Sequence, residues 1–344
     1  MKIIITGGCG FIGSNFIRKQ INETENLIAN IDNLTYAGNS DNLSSISKNS
    51  KYSFYKGDIV DKKFVNKVFN EFKPDAIIHF AAESHVDRSI DNPLKFVETN
   101  ILGTSILLNA SLNYWKSKFK NDLNAFRFIH VSTDEVFGSL GKTGFFNEKS
   151  SYSPNSPYSA SKASSDHLVN AWNKTYNLPV ILTNCSNNYG PYQYPEKLIP
   201  LIITNCLEEK NLPVYGKGEN IRDWIYVDDH CDAINTVLND GIIGESYNIG
   251  GNNEINNLGL VKQICEILDR IKPRFNGKKY SELITFVEDR AGHDFRYAID
   301  SSKINTELQW SPKKSFQTGI MKTIEWYIKN NKWWYKLKNM NQKI

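Results

Sequence analysis

A chain of 344 residues is long enough to bury a sizeable core unaided, as one two-lobed unit or two domains of ordinary size. Its 41 basic and 37 acidic residues leave a net charge of +4. They form no concentrated basic stripe of the kind that follows a phosphate backbone, so nucleic acid is not an expected partner. The five cysteines, Cys9, Cys185, Cys206, Cys231 and Cys265, are far apart, form no C-x-x-C pair and read as reduced packing residues.

Residues 2–6 read as a first strand with no charged leader ahead of them, and no apolar run is long enough to span a bilayer. The expectation is a soluble, cytoplasmic protein without a membrane partner. Gly7-x-x-Gly10-x-x-Gly13 follows this strand directly and opens an apolar helical stretch, the setting a dinucleotide fingerprint requires. Glycines permit the tight turn and let the backbone approach a pyrophosphate, whose charge meets amide N–H groups at the helix N-terminus.

A second strand, 27–32, ends in Asp32, placed to accept hydrogen bonds from ribose hydroxyls and to repel a 2′-phosphate. No arginine follows in Asn33-Leu34-Thr35, so NAD is favoured over NADP. A third strand, 52–55, leads to Asp58, which has two readings: a partner for the adenine amino group, or a cap for the helix predicted at 61–72.

Further strands are predicted at 76–81, 126–132 and 180–185, with a helix at 99–112. Their apolar character suits strands buried on both faces of a parallel sheet. The fold class is therefore α/β: a doubly wound, Rossmann-type parallel sheet with a smaller α/β lobe.

The run Thr133-Asp134-Glu135 follows the fifth strand, where open α/β sheets place their ligands. Adjacent carboxylates do not ionise equally easily, so one should stay protonated as an acid while the other serves as a base. Tyr158 and Lys162 are four residues apart on a helix predicted after Pro157, which puts both on one face. Lys162 and an oxidised nicotinamide would lower the phenol from its ordinary value of about 10 toward neutrality.

From Ser186 onward prolines become frequent, and a strand is predicted at 224–227 ahead of a mostly helical remainder. The expected division is a cofactor domain over 1–185 with a return segment at 225–250. A substrate lobe is expected over 186–224 and 251–335, with a polar tail at 336–344. Residues 329–344 are expected to fray, although Trp333, Trp334 and Tyr335 could dock. The six histidines show no metal-ligand spacing, and no metal is expected.

The glycine motif, Asp32 and Tyr158-x-x-x-Lys162 together resemble the extended branch of the short-chain dehydrogenase/reductase superfamily, over most of the chain. Thr133-Asp134-Glu135, the stretch 184–191 and the stretch 195–200 resemble, within it, the dTDP-glucose 4,6-dehydratase family. That resemblance implies a redox-neutral enzyme that keeps its NAD. It would oxidise a hexose at C4, eliminate water across C5 and C6, and return the hydride to C6. Asp134 would protonate the C6 hydroxyl, Glu135 would take the C5 proton, and Thr133 would support Tyr158 at the C4 oxygen.

The same likeness assigns Phe11, Ile12, Asn33, Thr35 and Ile59 to the cofactor, with Ala81, Ala82, Ser84 and Thr99. Asn188 would lie near the nicotinamide, and Asn187 would contact the diphosphate. Lys197 and Leu198 would line the nucleobase pocket, with Pro213 and Tyr215 at the nucleotide-binding edge of the smaller lobe. Arg222, Asn257, Arg290 and His293 would face the diphosphate or the base, while Ser84 and His85 would approach the sugar, His85 without a catalytic part. Two positions depart from the family pattern, Phe137 in place of a tyrosine and Ala291 in place of a proline.

An epimerase or decarboxylase of the same branch remains an alternative that would lack a use for Asp134-Glu135. A dehydratase of another nucleotide sugar and a non-catalytic NAD-sensing regulator also remain. Relatives of this kind imply a homodimer, and the helices at 99–112 and 159–176 are the expected interface.

Overall fold

The computed structural model describes residues 1–341. The first half alternates strand and helix: β1 (Lys2–Thr6), α1 (Phe11–Glu23), β2 (Leu27–Asp32), β3 (Tyr52–Lys56), α2 (Lys62–Phe72), β4 (Ala76–His79), α3 (Val86–Asp91) and α4 (Pro93–Phe96). A π-helical stretch, Val97–Gly103, then feeds α5 (Thr104–Phe119), followed by β5 (Arg127–Thr133), α6 (Pro157–Tyr176) and β6 (Val180–Cys185). The second half holds β7 (Asn187–Tyr189), α7 (Leu198–Leu207), β8 (Leu212–Tyr215), β9 (Ile221–Tyr226), α8 (Val227–Asp240), β10 (Ser246–Ile249) and β11 (Glu254–Asn256). It closes with α9 (Asn257–Ile271), β12 (Ile284–Val287), α10 (Ser302–Leu308), α11 (Phe316–Lys329) and α12 (Asn331–Asn341).

The large sheet runs β10-β6-β5-β4-β1-β2-β3 with every pairing parallel. From β1 the chain goes first to β2 on one side and later to β4 on the other, so the strand order reverses between β1 and β4. That reversal makes a crevice at the carboxyl ends of these strands. β1 displays the logic of a sheet covered twice: Ile3 and Ile5 belong to one buried cluster and Ile4 to another on the opposite face. The expectation of strands buried on both faces fails at β3, an edge strand whose Ser53 and Phe54 are exposed.

A separate apolar core in the second half is built from α7, α9 and α11 around Trp224, Tyr226, Phe316 and Tyr327. It packs on a three-stranded sheet, β11-β9-β7, and a two-stranded one, β12-β8. All five cysteines are buried and free. No helix among the described residues is long and apolar enough to cross a membrane.

Three boundaries differ from expectation for physical reasons. The fourth strand stops at His79 because Ala81 passes against the glycine turn, so close that a Cβ on Gly7 would lie 2.6 Å from the Ala81 amide nitrogen. The strand predicted at 224–227 starts earlier, at Ile221, where antiparallel pairing with β11 begins. The expected fraying after 329 is replaced by α12, whose Trp334 is buried and donates Nε1–H to the Tyr327 carbonyl at 2.8 Å. Of the tail expected at 336–344, residues 342–344 lie outside the described residues.

Candidate active site

The glycine turn closes at the N-terminus of α1. Gly7 has φ +72, and a Cβ on Gly13 would sit 2.4 Å from the Gly7 carbonyl oxygen, so neither position tolerates a side chain. Gly10 caps α1 without a side-chain hydrogen bond, leaving the first-turn amides to face the crevice. Asp32 accepts from the Cys9 and Leu34 amides, each at 2.8 Å, and burial pushes its carboxyl up from the usual range. The helix cap is Asp61, which accepts from the Lys63 and Phe64 amides, so Asp58 is free of that duty. Asp58 instead accepts from Asn33 Nδ2 at 2.6 Å on the crevice wall.

These residues line a cavity of about 300 Å³ together with Phe11, Ile12, Thr35, Ile59, Ala81, Ala82, Ser84, Thr99 and Asn188. A glycine cradle that a Cβ would fill, free helix-terminal amides and a carboxylate at the ribose position fit an NAD dinucleotide.

The same cavity is lined by the residues expected to do acid–base work, Thr133, Asp134, Glu135, Tyr158 and Lys162. Thr133 ends β5 and its hydroxyl caps the turn that follows, accepting from the Glu135 amide at 3.3 Å. Asp134 is 1% exposed, and its Oδ2 has no hydrogen-bond partner within the protein. Burial, then the Glu135 and Asp223 charges, push the Asp134 carboxyl well above the usual range. Glu135 is also raised by burial, but the Arg222 and Lys197 charges pull it back down. Both carboxyls are thus raised by burial, Asp134 well above the usual range, while Lys197 opposes the rise at Glu135.

Ser156 and Ser159 form a capping box that starts α6 at Pro157 and sets Tyr158 and Lys162 on its inner face. Tyr158 packs edge-on against Phe96 at 6.3 Å between ring centres. The lowering of this phenol expected from Lys162 together with an oxidised nicotinamide does not arise from the protein's own groups. Burial, then Glu135, hold Tyr158 well above its ordinary value, with the Thr133 hydroxyl opposing. Lys162 directs Nζ at the Val131 carbonyl, 3.0 Å away, and burial pushes its ammonium down.

A second cavity of about 220 Å³ adjoins the first, and Ser84, Glu135, Asn187, Asn188, Gln193 and Lys197 line both. Its wall carries His85, Leu198, Pro213, Tyr215, Arg222, Asn257, Arg290 and His293. Asn187 Oδ1 and Asn257 Oδ1 are buried without a protein partner. Arg222 is buried, donates to the Asp294 carbonyl at 2.9 Å and stacks 4.2 Å over the Tyr297 ring. Arg290 pairs with Asp87 at 3.1 Å and stacks over Tyr215, while His293 meets Asp289 at 2.6 Å. His85 caps α3, and burial, then Lys197, push its ring down to about 3, so it stays neutral.

Every residue expected in the sequence to serve in catalysis, cofactor binding or substrate binding therefore lines one of two adjoining cavities. Glu196, Asp87 and Tyr297 also line the second and were not singled out. Glu196 stood beside Lys197 in a motif already noted, whereas Asp87 carries no sequence signal for its partner 203 positions away. Phe137, the departure from tyrosine, stacks on Phe146 at 5.2 Å in an apolar cluster. Among the described residues no group of His, Cys, Asp or Glu is placed to hold a metal ion.

The model of the GDP-mannose 4,6 dehydratase family matches residues 4–323. A dTDP-glucose 4,6-dehydratase of Escherichia coli K12 is 54% identical over 342 residues, covering 97% of this chain and 94% of the relative. Among solved structures, a dTDP-glucose 4,6-dehydratase of Streptomyces venezuelae with NAD bound superposes with TM-score 0.90 at 43% identity, covering 98% of this chain and 100% of that one. The Bacillus anthracis enzyme of that name, in complex with NAD, gives TM-score 0.86 at 48% identity, covering 98% and 99%. With a family match over nearly its whole length and relatives more than half identical to it, the chain belongs to the GDP-mannose 4,6 dehydratase family, on the branch that holds the dTDP-glucose 4,6-dehydratases.

Proposed function

We propose that the chain converts dTDP-glucose to dTDP-4-keto-6-deoxyglucose in an NAD-dependent, redox-neutral dehydration. The observation that carries this reading is the gathering of Thr133, Asp134, Glu135, Tyr158 and Lys162 in the cavity that holds the glycine turn, with Glu135 also lining the adjoining cavity beside Arg222, Asn187 and Asn257. An epimerase has no step that needs a buried acid beside a base. NAD, which Gly7, Gly10, Gly13 and Asp32 would hold, would supply the reversible two-electron hydride acceptor that oxidation at C4 and reduction at C6 require.

The protein's own groups do the proton work. Tyr158, steadied by Thr133, takes the C4 hydroxyl proton as the carbonyl forms, and a cationic ring bound beside it would offset the burial that holds the phenol up. A C4 ketone acidifies the C5 proton, which Glu135 removes. Asp134, protonated and enclosed, delivers its proton to the C6 hydroxyl, which leaves as water. The Asn187 and Asn257 amides and the Arg222 guanidinium hold the nucleotide sugar in the second cavity.

We further infer that residues 1–185 and 225–250 form the cofactor unit, and that 186–224 and 251–335 form the substrate unit. Because the cycle restores NAD, the cofactor is retained between turnovers. The protein works in the cytoplasm as a homodimer through the helices at 99–112 and 159–176, where Leu102 is 51% exposed. Incubating the purified protein, without added cofactor, with dTDP-glucose, UDP-glucose, GDP-mannose and CDP-glucose tests the reading. Loss of one water from dTDP-glucose alone supports it, and turnover of another sugar in its place overturns the base assignment.

A further inference from the structure

Beneath the Tyr158–Lys162 face of α6 lies a buried polar network that the reaction as described does not use. Asp166, one turn after Lys162, is fully enclosed. Its Oδ2 accepts from Ser132 Oγ at 2.8 Å, Tyr152 OH at 3.0 Å and Asn184 Nδ2 at 3.3 Å. Its Oδ1 lies 3.2 Å from His130 Nε2 on β5, and that nitrogen is 3.5 Å from Lys162 Nζ. Burial, then Lys162, hold the His130 ring neutral, so an uncharged ring nitrogen sits between the carboxylate and the Lys162 ammonium.

We propose that Asp166, acting with His130, is a positioning residue for the reaction: the buried counter-charge that holds Lys162 as an ammonium directed at the Val131 carbonyl beside Tyr158. Lysine in an enclosed site gives up its proton easily, and a neutral amine would neither hold a cofactor ribose nor favour the phenolate. A carboxylate with no solvent access is costly unless a cation shares its enclosure, whereas a neutral amide would tie the same sheet and helix together. The cation that acts on Asp166 is Lys162. The remaining groups around the pair are His79 on β4, Cys185 on β6, Tyr152 ahead of α6 and Tyr158 on α6 itself. None of these carries a standing negative charge at neutral pH, which leaves Asp166 as the counter-ion.

The inference rests on the proposed reaction for its meaning but not for its test. Lysine-selective isotope labelling, with Lys162 assigned through Lys162→Met, follows the Nζ titration directly. In Asp166→Asn the Lys162 midpoint is expected to fall by at least about one pH unit, and Asp166→Glu to restore most of it. An unmoved midpoint overturns the proposal. Should Asp166→Asn not fold, the wild-type protein decides: the Lys162 resonance should carry a second inflection near the proton uptake of Asp166, at about 6, and its absence contradicts the coupling. In the reaction, the alkaline limb of the first oxidation should move down in Asp166→Asn while KM for the nucleotide sugar is kept. A uniform loss at every pH would mean a structural part only. Failure of the wild type to turn over any nucleotide sugar would sink the proposed function and leave the titration result standing.

Discussion

Asp134 and Glu135 are adjacent in the chain and both line the first cavity, but Asp134 is enclosed with an unpartnered Oδ2, whereas Glu135 also lines the second cavity, under the charges of Arg222 and Lys197. Both lie on the 3-10 turn that follows β5. Burial raises both carboxyls, Arg222 opposes the rise at both and Lys197 opposes it at Glu135 as well, and the proposed division of the elimination between the two groups follows that asymmetry.

Glu135→Gln should permit oxidation at C4 and stall elimination. Bound NADH absorbance would build up on mixing with dTDP-glucose while product formation falls by about a hundred- to ten-thousand-fold. Because burial raises the Glu135 carboxyl, the wild-type elimination rate should decline on the acid side at a higher pH than an ordinary glutamate would give. The base works only when ionised, so the rate is present above that midpoint and lost as pH falls through it.

Tyr158→Phe should abolish the first oxidation, with no NADH signal on adding substrate. Phenylalanine keeps the packing on Phe96, so the melting temperature and NAD content should match the wild type. Loss of both together would make Tyr158 a packing residue.

Gly13→Ala should release the cofactor. Its Cβ would meet the Gly7 carbonyl oxygen at 2.4 Å and the Gly8 Cα at 2.8 Å, both backbone atoms that move only by opening the turn. A strain of about 1–3 kcal/mol at this contact corresponds to a loss of NAD affinity of roughly fivefold to 150-fold, measurable by fluorescence titration.

Trp334→Ala should destabilise the protein by about 3–5 kcal/mol in chemical denaturation, since the side chain is 1% exposed within the second core. The neighbouring Trp333 donates to Asn42 Oδ1 at 2.9 Å, and Asn42 Nδ2 holds the Cys9 carbonyl in the glycine turn at 3.0 Å. Trp333→Phe should therefore cost less stability but weaken NAD binding.

The cofactor turn was legible because its demands are local: Gly7, Gly10 and Gly13 meet a steric requirement within seven residues, and Asp32 ends the next strand. The acid–base pair was legible for the same reason, since Thr133, Asp134 and Glu135 share one turn. Spacing put Tyr158 and Lys162 on one face but said nothing of where Nζ points, which depends on β5 passing beneath α6. The docking of α12 joins Trp333 to Asn42 across 291 positions, a contact created by tertiary packing that no local pattern announces. Asp166 reads in sequence as one more helical carboxylate, and only its enclosure sets it apart.

The most direct test of the central claim is the fate of the C4 hydrogen in dTDP-glucose carrying deuterium at C4, incubated with the purified protein and no added NAD. Redox-neutral dehydration in this site predicts a product one water lighter that keeps the deuterium, now in the C6 methyl group, after many turnovers. Deuterium lost to solvent, retained at C4, or a reaction that halts until NAD is supplied each round would contradict it.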